Sequence, residues 1–249
     1  MINVGITGQA GFVGTNLFNY LKLQDQFHVI PFEDSYYDNL EKLKQFTSEC
    51  DVIVHLAAVM RNQESGYVYN TNMRLVNDLV NAADAAGAKP SFLFASSIQE
   101  TGDSEYARCK RDGAEVLSLW CKNKGKGFCK MIFPNLFGPY AKPNYSSFVA
   151  TFCYKLTHGE KPQIIVDNEV PLIFIGDLVP LISIEIKNVY ETEDNYDKIF
   201  KPQCYMKVSE VLDILSIQKK KYIDNRQLPK YKSEIEKQLF TTMCSYITK

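Results

Sequence analysis

Apolar positions along the first two thirds of the chain follow two alternating rhythms. Short continuous apolar runs predict strands at Asn3–Thr7, His28–Phe32, Asp51–Leu56, Ser91–Ser96 and Lys130–Phe133. Between them, three-and-four spacing predicts helices over Phe12–Leu23, Leu40–Phe46, Val68–Ala85 and Glu105–Cys121. In the third helix, Met73, Val76, Leu79, Val80 and Ala83 fall on one face. Val52-Ile53-Val54 and Phe92-Leu93-Phe94 are apolar on both faces, as strands covered by helices on either side should be. This alternation predicts the α/β class, with a Rossmann-type doubly wound parallel sheet.

From about Pro139 the rhythm loosens. A helix is expected over Ser146–His158, short strands over Gln163–Val166 and Leu172–Ile175, and a helix from Asp177. The run Lys219–Lys221, followed by Asp224-Asn225-Arg226, reads as solvated loop. A final helix is expected from Leu228 to about Ile247, with Ile235, Leu239, Phe240 and Met243 on one side. Val170–Ile186 is the most apolar stretch, but Gly176, Asp177, Pro180 and Glu185 interrupt it, so a buried strand and helix are expected rather than a membrane span.

Composition narrows the partners. The 28 basic residues nearly balance the 29 acidic ones, which leaves no general attraction to nucleic acid or an anionic membrane. The seven cysteines contain no CxxC pair, and His28, His55 and His158 are scattered, so no metal is expected and the thiols read as reduced core residues. The chain opens on Met1-Ile2-Asn3-Val4-Gly5, already strand-like, so no leader and a cytoplasmic location are expected.

Two motifs carry chemistry. The first strand runs into Gly8-Gln9-Ala10-Gly11-Phe12-Val13-Gly14 and then a helix. Gly8 permits the tight turn, Gly11 lets a pyrophosphate approach the backbone, and Gly14 lets the helix lie close to the strand. The core over residues 1–138 is therefore expected to bind a dinucleotide, with 139–249 mostly a small substrate-binding lobe and closing helices of the same integrated domain. In the second motif, Tyr106-Ala107-Arg108-Cys109-Lys110, tyrosine and lysine stand one helical turn apart. An ammonium there favours phenolate, which suits proton transfer during carbonyl–alcohol interconversion. Ser96-Ser97 at a strand's end places Ser97 where it can polarise the reacting oxygen. His55-Leu56-Ala57-Ala58 ends another strand with small residues, His55 reading as a packed residue rather than a catalyst.

With these motifs the sequence resembles the extended short-chain dehydrogenases/reductases that modify nucleotide sugars. The resemblance rests on TGQAGFVG at 7–14, HLAA at 55–58, the serine pair, YxxxK and PNLFGP at 134–139. Ser96-Ser97-Ile98-Gln99 and the segment Lys142–Phe152 are similar to the reductase domain of the bifunctional capsular-polysaccharide enzymes of UDP-N-acetyl-L-fucosamine synthesis. The resemblance implies reduction, by NADPH, of the C4 ketone of a UDP-2-acetamido-2,6-dideoxy-hexulose. It implies Tyr106 as proton donor, Lys110 as its partner and ribose ligand, and Ser97 at the ketone. Gly8, Gly11, Phe12, Val13 and Gly14 would line the pyrophosphate, Leu56, Ala57 and Ala58 the adenosine. Pro134 would also touch the cofactor, while Asn135, Asn144 and Ser147 would meet the UDP-linked sugar. A homodimer is expected, with Leu117 and Leu119 on the YxxxK helix reading equally well as dimer surface or as core, and the family's C-terminal cupin is expected to be absent.

Departures leave alternatives open. Val170 stands where many relatives of this kind have a phosphate-binding arginine. Glu33 and Asp34 follow the second strand, where an acid usually binds the ribose hydroxyls of NAD, and no arginine accompanies them. NADPH is favoured through the resemblance, with NAD possible. Ile98-Gln99 replaces the Asp-Glu pair of a dehydratase. An epimerase with tightly held NAD, and a non-catalytic dinucleotide-binding protein, are the competing readings.

Overall fold

A computed structural model describes residues 1–247. In chain order the elements are β1 (Ile2–Thr7), α1 (Phe12–Leu21), β2 (Phe27–Ile30), α2 (Leu40–Glu49), β3 (Val52–His55), α3 (Tyr67–Ala86), β4 (Ser91–Ser97), α4 (Glu105–Lys124) and β5 (Phe128–Phe133). There follow β6 (Asn135–Phe137), α5 (Phe148–Thr157), β7 (Glu169–Phe174), α6 (Ile175–Glu191), β8 (Asn195–Ile199), β9 (Cys204–Lys207), α7 (Val208–Lys219) and α8 (Glu234–Cys244). The chain divides into two compact units, one of Met1–Phe133 with Val179–Phe200, the other of Pro134–Leu178 with Lys201–Lys249.

The first unit is a six-stranded sheet in the order β2-β1-β3-β4-β5-β8, with every neighbouring pair parallel. From β1 the chain steps out to the edge strand β2 and then crosses back to add β3, β4, β5 and β8 on the other side, a doubly wound order. Val52, Ile53, Val54, Phe92 and Leu93 are fully buried, because helices cover both faces of these strands. One core cluster joins Phe46 of α2, Val76 and Leu79 of α3, Phe92 and Phe94 of β4, and Leu117 and Trp120 of α4. Asn39 and Ser104 cap α2 and α4 by accepting from Lys42 N–H and Ala107 N–H at 3.1 Å each.

The sixth strand was absent from the sequence pattern for a physical reason. β8 is an edge strand, Asn195-Tyr196-Asp197-Lys198-Ile199, held largely by polar contacts. Lys198 Nζ lies 2.6 Å from Glu185 Oε1, and the Tyr196 hydroxyl donates to Glu185 Oε2 at 3.0 Å. Glu185 itself is only 2% exposed. Unit membership also departs from a single boundary near residue 138, because Val179–Phe200 returns to the first unit.

The second unit holds a three-stranded sheet, with β6 parallel to β7 and β7 antiparallel to β9. Its core joins Phe137, Val149, Phe152, Leu172, Val211, Leu215, Leu239 and Met243. Three expectations are corrected here. Gln163–Val166 forms no strand and is exposed, Ile165 at 95%, because a short apolar run carries no information about whether a neighbour exists to pair with it. Lys219–Lys221 ends α7 and continues as a wide helical turn over Lys220–Asp224, in which Lys219 Nζ meets Asp224 Oδ1 at 2.7 Å. The last helix starts at Glu234 rather than Leu228, because Pro229 disfavours helix before it and Ser233 supplies the cap.

All seven cysteines are free, and five of them are buried. Burial pushes the Cys121 and Cys129 thiols up to about 12, so they behave as small apolar residues. No helix among the described residues is long and apolar enough to cross a membrane. At the start of β5 a Cβ on Gly127 would stand 2.3 Å from Val189 O and 2.7 Å from Thr192 O, both backbone. Gly127→Ala is therefore expected to destabilise the chain by about 2–3 kcal/mol in urea unfolding, and an unchanged midpoint would contradict this packing.

Candidate cofactor and catalytic site

The site grows from the carboxyl ends of β1 and β3, which stop at the same level with Thr7 paired to His55. Thr7 Oγ1 and His55 Nδ1 share a hydrogen bond at 2.8 Å, and the Ala57 N–H approaches Thr7 Oγ1 at 3.4 Å. The chain then turns at Gly8, whose φ of +67° suits glycine. A Cβ there would also lie 2.8 Å from the Ala57 backbone nitrogen, so Leu56, Ala57 and Ala58 run directly beside the glycine turn.

A Cβ on Gly14 would come within 2.2 Å of Gly8 O, which shows how closely α1 sits on the turn. The Gly11 N–H donates to Gly8 O at 2.9 Å, and no side chain caps α1. The amides of Phe12, Val13 and Gly14 thus open the helix without a side-chain acceptor, and the helix dipole adds positive potential there. Gln9 Oε1 is buried with no hydrogen-bond donor in reach. A glycine cradle and an uncapped helix start together fit a dinucleotide pyrophosphate, whereas Gln9 Oε1 needs a donor that a pyrophosphate does not supply.

Asn72 is a residue that the sequence analysis passed over, an amide buried on the apolar face of α3. It is buried, accepts from Val59 N–H at 2.8 Å and donates to Val59 O at 2.8 Å. Its amide also reaches Cys109 Sγ at 3.3 Å, so one side chain ties the segment after HLAA to the YxxxK helix. A polar residue in register with Leu75, Val76 and Leu79 was the available signal.

On α4, Tyr106 and Lys110 face the same way, with Lys110 Nζ 5.4 Å from the Tyr106 ring and 4.8 Å from the Phe94 ring. Lys110 is 3% exposed, and burial pulls its ammonium down to about 8, opposed weakly by the Cys109 thiol. His55, 2% exposed and stacked on Phe94 at 5.7 Å, is driven down to about 3 by burial and then by the Lys110 charge. His55 is therefore a neutral structural ring, as the sequence suggested. Ser97 ends β4 and accepts from Gln99 N–H at 3.2 Å, while Ser96 turns inward to bond Glu100.

The turn between Ser97 and Tyr106 is anchored by charges that spacing alone did not single out. Glu100 Oε1 meets Lys130 Nζ at 3.1 Å, and Lys130 also holds Asp197 at 3.0 Å. Arg111 donates to Gly102 O at 2.8 Å and to Glu100 O. Glu105, beside Tyr106, accepts from Gly66 N–H at 2.6 Å and so fixes the entry to α3.

The remaining sequence-derived residues belong to the second unit. Pro134 is buried at its start, and Asn135 donates to Pro171 O at 3.2 Å. Asn144 is exposed with φ +56°, its N–H donating to Thr151 Oγ1 at 2.9 Å. Ser147 caps α5 and donates to Leu136 O at 3.1 Å. Val170 pairs with Met206 on β9.

One pH dependence follows from His55. Its folded pKa near 3 lies below the unfolded value, so the unfolded chain binds the proton first as pH falls. Relative to His55→Asn, the wild type is expected to lose up to about 1.4 kcal/mol per pH unit below about pH 6 in urea unfolding. Parallel curves for the two proteins would contradict a buried neutral imidazole.

Comparison with known proteins agrees with this geometry. A UDP-2-acetamido-2,6-beta-L-arabino-hexul-4-ose reductase of Pseudomonas aeruginosa is 34% identical over 179 residues, 72% of this chain and 48% of that protein. The crystal structure of the capsular polysaccharide assembling protein CapF of Staphylococcus aureus matches 99% of this chain with a TM-score of 0.79 and 32% identity. The chain covers 65% of that structure and about half of the curated reductase. RMD of Pseudomonas aeruginosa, solved with NADPH, shares the fold at a TM-score of 0.79 and 16% identity. The sequence profile of one family matches residues 4–197, which include the glycine turn, the serine pair and YxxxK, and the chain belongs to that family, the NAD dependent epimerase/dehydratase family.

Proposed function

We propose that the chain reduces the C4 ketone of a UDP-2-acetamido-2,6-dideoxy-hexulose, using a reduced nicotinamide dinucleotide, in the supply of a capsular or surface polysaccharide precursor. The observation that carries this reading is the buried ammonium of Lys110 set against the Tyr106 ring, on a helix that follows Ser97. The identity to a hexulose reductase supports the substrate class. A cytoplasmic homodimer fits the same reading, with Leu119, 58% exposed on α4, as apolar surface for a second copy.

The bound cofactor supplies the hydride. The chain supplies placement and a proton. The amides of Phe12, Val13 and Gly14 hold the pyrophosphate beside Gly8 and Gly11, and Leu56, Ala57 and Ala58 flank the adenosine. Ser97 Oγ donates to the C4 oxygen and orients it. Tyr106 Oη gives that oxygen its proton as negative charge develops there. The Lys110 ammonium stabilises the phenolate left behind and binds the nicotinamide ribose. Pro134 adjoins the nicotinamide side, and Asn135, Asn144 and Ser147 serve the sugar nucleotide.

Tyr106→Phe tests the assignment directly. Loss of reduced-nicotinamide absorbance with a UDP-4-keto-6-deoxy-N-acetylhexosamine should slow by about 10²–10⁴-fold, while the dinucleotide Kd stays unchanged. Near-normal turnover in that variant sinks the proton-donor role. Nicotinamide that stays on the purified protein without net oxidation would point to an epimerase instead.

Lys110 separates function from stability. Its folded pKa near 8 lies below the unfolded value, so its charge destabilises the free fold at pH 7, and the penalty is relieved as pH rises from about 8 to about 10.5. Lys110→Met should therefore lose turnover and yet gain roughly 1–3 kcal/mol, several degrees in Tm. A lower Tm would show that the ammonium is better solvated than its burial indicates.

A further inference from the structure

Strand β4 ends on two adjacent hydroxyls, Ser96 and Ser97, and successive side chains of a strand point to opposite faces. The reaction proposed above uses Ser97 and not Ser96. Ser96 is 3% exposed and donates its hydroxyl proton to the Glu100 carboxylate. Ser97 opens the tight turn Ile98–Thr101, its Oγ accepting from Gln99 N–H at 3.2 Å. That bond occupies a lone pair and leaves the Ser97 hydroxyl proton to be donated elsewhere.

Glu100 is held from three elements. Its Oε1 meets Lys130 Nζ of β5 at 3.1 Å, its Oε2 takes the Ser96 proton from β4, and its backbone carbonyl accepts from Arg111 of α4. Arg111 also donates to Gly102 O at 2.8 Å, so two carbonyls of the turn hang on one guanidinium. On α4, Arg111 follows Lys110 and stands about one and a half helical turns beyond Tyr106. The Glu100 and Lys130 side chains are only 13% and 18% exposed, so this pair is screened less by water than a surface pair.

Residues 98–105 carry the chain from Ser97 on the sheet to Tyr106 on α4. Their local bonds include the Ser97 cap and Gly102 N–H to Gln99 O at 3.1 Å. A single tight turn fixes several dihedrals for each bond it makes, so local bonds alone hold it weakly. Glu100 adds the long-range ties, to β5 through Lys130 and to α4 through Arg111.

We propose that Glu100 is a positioning residue for the ketone reduction: by taking the Ser96 proton and the Lys130 ammonium while Arg111 grips its carbonyl, it sets Ser97 and Tyr106 at the spacing one ketone oxygen requires. The inference rests on the reductase reading above. Glu100 acts through the two hydroxyls and not on the ketone itself. Both donors must reach the same oxygen, and an error of about 1 Å in such a pair can cost about 10²-fold in rate.

The test is steady-state kinetics of Glu100→Ala with a UDP-4-keto-6-deoxy-N-acetylhexosamine, beside hydrogen exchange of the amides at 98–105. Lys130 keeps Asp197 at 3.0 Å when Glu100 is removed, so the variant strands no cation and should fold. Its kcat is expected to fall about 10–100-fold, with the sugar KM and the dinucleotide Kd within about twofold of wild type. Exchange across the turn should quicken. Glu100→Gln, which keeps an oxygen for Ser96, should recover most of the lost kcat, and Asp197→Asn should change neither readout. Ser96→Ala removes one hydroxyl without touching the charges and should lower kcat severalfold at unchanged KM. A wild-type kcat in Glu100→Ala or in Ser96→Ala, or a loss shared equally by dinucleotide binding, overturns the inference and leaves the reductase reading standing. A wild type that turns over none of these sugars overturns the reductase reading and this inference with it.

Discussion

The Thr7–His55 hydrogen bond closes the carboxyl edge of the sheet where β1 and β3 end together and their two loops begin. β1 and β3 are adjacent and parallel, so their ends project the same way, and both following loops compete for the same space. The hydroxyl of Thr7 serves His55 and Ala57, and the residue after it turns back through a left-handed glycine. Helix α1 can then lie on the turn with its first amides open to an anion. Asn72 repeats the same economy one loop further on, joining Val59 to Cys109 and so coupling the loop after β3 to the helix of Tyr106 and Lys110.

Electrostatics at this edge are set by burial more than by pairing. Lys110 has aromatic faces beside it, and His55 stays neutral because desolvation and the nearby ammonium both oppose its charge. A cation held in that way is unfavourable in the free fold and favourable to a phenolate or an anionic ligand. The turn after β2 differs, with Glu33 and Asp34 exposed on it, while Arg74 on α3 pairs with the half-buried Asp78.

Where the sequence pattern failed, it failed for identifiable reasons. Edge strand β8 is held by Lys198 and Tyr196 on a buried Glu185, and polar contacts of this kind leave no apolar periodicity. Gln163–Val166 has the composition of a strand but no partner strand, and pairing is a property of two segments. β6 is three residues long, too short for any period to register. The glycine turn, by contrast, is local: the strand before it, the three glycines and the helix after it all lie within about twenty residues, and the same holds for YxxxK on a single helix.

The sequence by itself determined the α/β alternation, the glycine turn ahead of α1 and the placing of Tyr106 and Lys110 on one helix after Ser97, because each is written in spacing within one or two adjacent elements. Only the tertiary structure decided that Lys110 is buried against Phe94, that Arg74 is engaged by Asp78, and that Glu100 anchors the turn between Ser97 and Tyr106 through Lys130, which also holds Asp197. Burial and ion pairing depend on which distant segments meet, and no spacing along the chain encodes how much water is left when they do.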